Sequence, residues 1–190
     1  MTGATRRRLL AEARLYVVSP AHMRSGRLAD HIPSLAEAGV DIVQLRDRSL
    51  ADGELLEEAR ACADAARRAG ILFLVNDSPR LARACGADGV HLGQDDGEVD
   101  DARSLLGPDR IIGRTTRGGP MPAAAADEGA DYAAAGPIWE TPTQPGREAE
   151  GLGAAARAPR TAPLPGFPIG GIDSRRALRL GAVGARRIAV

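Results

Sequence analysis

The chain has 190 residues, enough for one domain with a substantial core. Its 25 basic and 25 acidic residues cancel, so composition gives no electrostatic footprint for nucleic acid or an anionic membrane. Every basic residue is an arginine, which excludes Schiff-base chemistry and a covalently held pyridoxal cofactor, since both need a lysine amine.

In chain order, residues 1–13 read as a basic N-terminal arm without the apolar core of a signal peptide. No apolar run approaches the roughly 20 residues needed to span a bilayer, so a cytoplasmic location is expected. Arg14–Val18 is a first strand. A helix follows, with Leu28, Ile32, Leu35, Ala36 and Gly39 near 3.6-residue spacing and Pro33 starting or bending it. Val40–Leu45 is the second strand and runs into Arg46-Asp47-Arg48. Asp52 is expected to cap a helix reaching to Gly70, with Leu55, Ala59, Cys62 and Ala66 on one stripe. Cys62 and Cys85 have no CxxC spacing and read as buried, reduced small hydrophobes. Ile71–Val75 and Gly89–Leu92 are strands three and four, joined by a helix over Pro79–Cys85. Val99–Leu106 is helical, Arg110–Gly113 the fifth strand, Met121–Gly129 an alanine-rich helix and Tyr132–Ala135 the sixth strand. A long irregular loop follows, of the kind that carries function in a compact domain. Phe167–Ile169 is strand seven, Ser174–Leu180 a helix and Arg186–Val190 strand eight.

The stretch from Val75 to Asp96 organises the rest. A strand, a short helix and a second strand at this spacing form a βαβ unit with parallel strands, whose C-terminal ends point the same way. Asp77 and Asp96 therefore emerge on one face, around a common point. Converging carboxylates repel unless they share a proton or hold a divalent cation. The other reading is a helix cap at Asp77 and a solvated acidic turn at Asp95-Asp96. Alternating strands and helices fit a (β/α)8 barrel or a doubly wound sheet. Polar or glycine-rich ends on strands two to seven favour the barrel, with its site on the C-terminal face, over a single switch point. The reading is a TIM barrel over residues 14–190, ending in strand eight without its final helix. The outward face of that strand is then exposed or covered by another subunit of a homo-oligomer.

No nucleophilic triad emerges: His22 and His31 lie in the first loop and helix, His91 lies inside a strand, and neither cysteine ends one. The C-terminal face offers the carboxylate pair, Gln44, Asn76, Gln94, Arg46, Arg48 and Arg114, and threonines at 115, 116, 141 and 143. That inventory suits electrostatic handling of an anionic, oxygen-rich leaving group. Glycines at 93, 113, 136, 170 and 171 would let backbone approach a ligand, and Asp173-Ser174 at a helix start would add N–H donors for phosphate.

The segments VQLRDRSL, VNDSPRLARACGADGVHLGQDD, IIGRTT, DYAAAGPIWETPTQPGR and PIGGI fall in order over about residues 15–190, and the chain resembles the thiamine phosphate synthase family. The resemblance implies small-molecule substrates: a hydroxymethylpyrimidine pyrophosphate joined to a thiazole phosphate, giving thiamine phosphate and pyrophosphate. It implies Mg2+ at Asp77 and Asp96. Gln44, Arg46, Arg48 and Asn76, with Thr115, would hold the pyrimidine pyrophosphate. Thr141, Thr143 and Gly171 would contact the thiazole phosphate. Gln144 stands where the family has a lysine aimed at phosphate, Arg48 replaces another lysine, and Arg117 replaces a histidine. Two alternatives are a thiazole tautomerase, disfavoured by Arg117 and by the retained Asp77–Asp96 pair, and a non-catalytic barrel that binds phosphate ligands.

Overall fold

Short apolar runs such as Ile42–Leu45, Gly89–Leu92 and Tyr132–Ala135 are buried on both faces, the pattern expected of parallel strands enclosed by helices. The computed structural model describes residues 1–116, 121–141, 146, 148–157 and 164–190. Its strands are β1 (Leu15–Ser19), β2 (Ile42–Leu45), β3 (Leu72–Asn76), β4 (Gly89–Leu92), β5 (Ile111–Thr116), β6 (Tyr132–Ala135), β7 (Gly166–Pro168) and β8 (Ile188–Ala189). The helices are α1 (Gly3–Glu12), α2 (Leu28–Glu37), α3 (Asp52–Ala69), α4 (Pro79–Cys85), α5 (Val99–Leu106), α6 (Met121–Asp127), α7 (Gly151–Arg157) and α8 (Ser174–Ala182). All strand pairs around the ring are parallel, in the order β8-β1-β2-β3-β4-β5-β6-β7. A bridge between Ile169 and Ala189 brings β7 back to β8 and makes the sheet a (β/α)8 barrel. The eighth strand is shorter than the Arg186–Val190 expected, and Val190 is fastened to β1 by bonds to Val18 and Tyr16.

Alternation along the strands sorts the core into two layers. Inside the barrel lie Tyr16, Ile42, Leu72, Leu74, Ile111, Tyr132 and Phe167, and between barrel and helices lie Val43, Phe73, Val75, Val90 and Ile112. Three interior rings meet edge to face, with centroids 6.0 Å (Tyr16–Tyr132), 5.5 Å (Tyr16–Phe167) and 5.7 Å (Tyr132–Phe167) apart. These rings fill the middle of the barrel, so a ligand can enter only from above them.

Residues 3–12 form α1 across the N-terminal mouth, where Leu10 joins the interior core. Arg6 is buried there with its Nε donating to Asp88 Oδ1 at 2.8 Å, while Asp88 Oδ2 accepts from the Phe73 N–H at 3.1 Å. The pair is satisfied on both sides, which is what makes a buried charge tolerable.

Several local expectations change. Asp52 is the first residue of α3, not its cap; the N-cap is Ala51, and Gly70 closes the helix in the left-handed conformation. Pro33 does not start α2 but lies inside it, as the other of the two alternatives had it. A small antiparallel hairpin pairs His22 with Arg27 and Met23 with Gly26, which no apolar alternation announced. The cap of α4 is Ser78, whose Oγ accepts from the Leu81 N–H at 3.2 Å. Ser78→Ala is expected to cost about 1 kcal/mol, read as a shift in the urea midpoint at unchanged slope.

Candidate active site

Asp77 is therefore free of capping duty, and its backbone bears this out. It is the one non-glycine residue among those described with a positive φ, at 64°, a conformation Asp tolerates better than most. Such strain is held in place by surroundings, and it is found at functional sites. Here the Asp77 N–H donates to the His91 carbonyl at 2.8 Å, which ties the end of β3 to β4. Burial pushes the Asp77 carboxyl up to about 6, and the hydrogen-bonded Asp96 carboxyl pushes the same way; Arg48 and Arg46 pull against them. Arg48 Nη2 stands 3.7 Å from Asp77 Oδ2. Asp96 is turned inward, its Oδ2 accepting from the Gly93 N–H at 2.7 Å, whereas Asp95 beside it is exposed. The pair is thus neither a cap nor a solvated turn.

Both carboxylates line a cavity of about 460 Å³ on the C-terminal face of the barrel. Gln44, Arg46, Arg48, Asn76, Thr115, Thr141 and Gly171 line the same cavity, and so do Gln94 and the glycines at 93, 136 and 170 singled out in the sequence. Thr143 and Gln144 lie outside the described residues. Gln44 is 2% exposed, and its Nε2 has no hydrogen-bond partner. A buried amide donor without a partner costs free energy until an acceptor arrives, so this group is poised for a ligand.

His91, whose role the sequence left open, also lines the cavity. Its Nδ1 is 2.9 Å from the Tyr132 hydroxyl and its Nε2 is 2.8 Å from Thr115 Oγ1. The Tyr132 hydroxyl is 3.0 Å from that of Tyr16. Burial lowers His91 to about 4, so the ring is neutral near pH 7 and carries one N–H. Tyr16 has only Tyr132 as a hydroxyl partner among the described residues, so its proton must go there. Tyr132 then donates to Nδ1, and Nε2–H donates to Thr115. The Thr115 hydroxyl proton is left for the cavity. The reverse polarity would strand the buried Tyr16 proton, which decides the tautomer. Tyr132→Phe removes the middle of this chain and is expected to cost about 1–3 kcal/mol by leaving Tyr16 unpartnered, measured by denaturant unfolding.

The remaining wall is built by the loops after β6 and β7. Gly171 sits at φ 64°, and a Cβ there would come 2.7 Å from the Glu140 carbonyl oxygen. Arg176 Nη1 donates to the Gly171 carbonyl at 2.6 Å while its guanidinium lies over Trp139, 5.2 Å from the ring centroid. The N-terminus of α8 is less available than expected, because the Asp173 carboxylate accepts from the Arg176 N–H at 2.8 Å. Two other expectations fail. Arg114 does not line the cavity; it faces outward between β5 and the helices. The space over Gly113 belongs to no ligand, because a Cβ there would overlap the Tyr132 ring.

Among the described residues no group of three or more His, Cys, Asp or Glu side chains could cage a metal. Magnesium needs no such cage: it keeps several waters and is commonly held by one or two carboxylates plus the oxygens of a phosphate substrate. Two crowded carboxylates beside arginines and amides fit that mode.

The sequence model of one family, described as thiamine monophosphate synthase, matches residues 15–190. The chain belongs to the thiamine monophosphate synthase family. A thiamine-phosphate synthase of Mycobacterium tuberculosis is 47% identical over 193 residues, covering 95% of this chain and 86% of the relative. One from Streptomyces avermitilis is 45% identical over 191 residues, covering 98% and 87%. Among solved structures, a thiamine phosphate pyrophosphorylase from Pyrococcus furiosus superposes with a TM-score of 0.79 at 27% identity, covering 97% of this chain and 86% of that one. A 3-hexulose-6-phosphate synthase, at 16% identity and a TM-score of 0.60, shares the fold alone. The chain is thus an enzyme of the thiamine monophosphate synthase family, and no helix among its described residues is long and apolar enough to cross a membrane.

Proposed function

We propose that this barrel joins a hydroxymethylpyrimidine pyrophosphate to a thiazole phosphate, releasing thiamine phosphate and pyrophosphate, with magnesium held at Asp77 and Asp96. The observation that carries the reading is the crowding of those two carboxylates in a cavity also lined by Arg46, Arg48 and the unpartnered amide of Gln44. Carboxylates pressed together this closely favour a cation over isolation.

When bound, magnesium neutralises charge on the pyrophosphate. The protein's own residues do the rest. Arg48 and Arg46 place positive charge beside Asp77, where the pyrophosphate would lie. Thr115 offers the hydroxyl proton that His91 leaves free. Gln44 and Asn76 supply amides to the pyrimidine and its leaving group. The bond from the pyrimidine methylene carbon to oxygen breaks, and its electron pair departs with pyrophosphate. The ring's amino group delocalises the resulting positive charge, and the thiazole nitrogen lone pair then forms the new carbon–nitrogen bond. No protein nucleophile takes part and no proton moves to the protein, which matches a site without a triad. Positioning and charge stabilisation carry the rate. Thr141 and Gly171, which line the same cavity, would contact the thiazole phosphate.

The test is a product assay with both substrates. Equimolar thiamine phosphate and pyrophosphate support the reading; isomerisation of a thiazole carboxylate without condensation would replace it with the tautomerase.

A further inference from the structure

Arg114 is a charged side chain that the proposed chemistry does not use. Alternation along β5 points Thr115 into the cavity and Arg114 to the opposite side, where it is 7% exposed. Its Nη1 donates to the Gly93 carbonyl at 2.8 Å and to the Gly97 carbonyl at 2.9 Å. Its Nε pairs with Glu128 Oε2, just past α6, at 2.8 Å. Gly93 and Gly97 flank the turn that carries Asp96, and the Gly93 N–H is the group that holds the Asp96 carboxylate. One guanidinium thus grips both ends of the turn and anchors them to a neighbouring helix end.

We propose that Arg114 is a positioning residue for the metal site: through Gly93 and Gly97 it fixes the turn that presents Asp96 to Asp77. This rests on the reading of those two carboxylates as magnesium ligands. A planar guanidinium can serve two carbonyls and a carboxylate at once. An ammonium on a flexible stem has three donors but no fork to hold them in this arrangement. Groups that orient a metal ligand from behind typically change affinity about 10–100-fold when removed. Arg114 touches neither the cavity nor the reacting atoms, so its loss should weaken the metal site without altering the chemical step.

The experiment compares the parent with Arg114→Met, Arg114→Lys and Glu128→Gln. Calorimetry with magnesium and inorganic pyrophosphate gives metal affinity, and turnover is measured across a magnesium titration. The expected result for Arg114→Met is a magnesium half-saturation raised about tenfold or more, with kcat at saturating magnesium within about twofold of the parent. Arg114→Lys is expected to recover only part of the affinity. Glu128→Gln keeps both carbonyl contacts and should shift half-saturation in the same direction by a smaller factor. It serves as the deciding variant if Arg114→Met does not fold. Unchanged magnesium half-saturation in the folded variants, whatever their melting temperatures, would overturn the proposal. Asp77→Ala and Asp96→Ala separate the two readings: if both bind magnesium pyrophosphate like the parent, the ligand assignment has failed, not the role of Arg114.

Discussion

Asp77→Asn is expected to lower turnover by on the order of 10²–10³, the loss typical of removing one electrostatic group at a developing charge. The same substitution should leave the melting temperature unchanged or slightly raised. Asparagine accepts a positive φ as readily as aspartate and is nearly the same shape, so the φ of 64° is retained. What disappears is a half-buried carboxylate that burial and Asp96 already make unfavourable to ionise. Function and stability therefore oppose each other at this residue, as they do where a site holds groups the fold would rather lack. A fall in turnover accompanied by a large fall in melting temperature would mean that Asp77 is structural. Undiminished magnesium pyrophosphate affinity in both Asp77→Ala and Asp96→Ala would remove the metal assignment.

Gly113→Ala is expected to destabilise the barrel by about 3 kcal/mol or more, at or beyond the upper end for overpacking. The new methyl would occupy the space of the Tyr132 ring. That ring cannot step aside cheaply, because Tyr16 and Phe167 pack edge to face against it and His91 stacks on it with centroids 5.6 Å apart. Any shift also pulls the Tyr132 hydroxyl from His91 Nδ1 and disturbs Thr115, so activity should fall with stability. Adding Tyr132→Ala removes the overlap. The double variant should then be less destabilised than the sum of the two singles, a coupling that denaturant unfolding of all three proteins measures. Additive costs would show that the ring is not what requires glycine here.

The sequence announced the parts of this molecule that depend on period and order. Parallel βαβ connections force Asp77 and Asp96 to one face, and buried apolar runs ending in polar residues mark the C-terminal rim. What it did not announce depends on which side of a strand or turn a single residue takes. Arg114 and Thr115 are neighbouring polar residues, and only the register of β5 sends one to the cavity and the other behind it. Asp77 and Ser78 are both good caps, and the backbone conformation at Asp77 decides between them. Helix α1 carries little amphipathic pattern, and its anchor, the Arg6–Asp88 pair, joins residues 82 positions apart. The His91 tautomer follows from counting hydroxyl protons along Tyr16, Tyr132 and Thr115, a chain that exists only once β1, β4, β5 and β6 enclose one barrel interior.

The most direct measurement is turnover of the parent protein with both substrates while magnesium is titrated from zero. Thiamine phosphate and pyrophosphate are expected in equal amounts, at a rate that depends on magnesium and loses that dependence in Asp77→Asn. A rate independent of magnesium, or no condensation with both substrates and magnesium saturating, would contradict magnesium-assisted condensation.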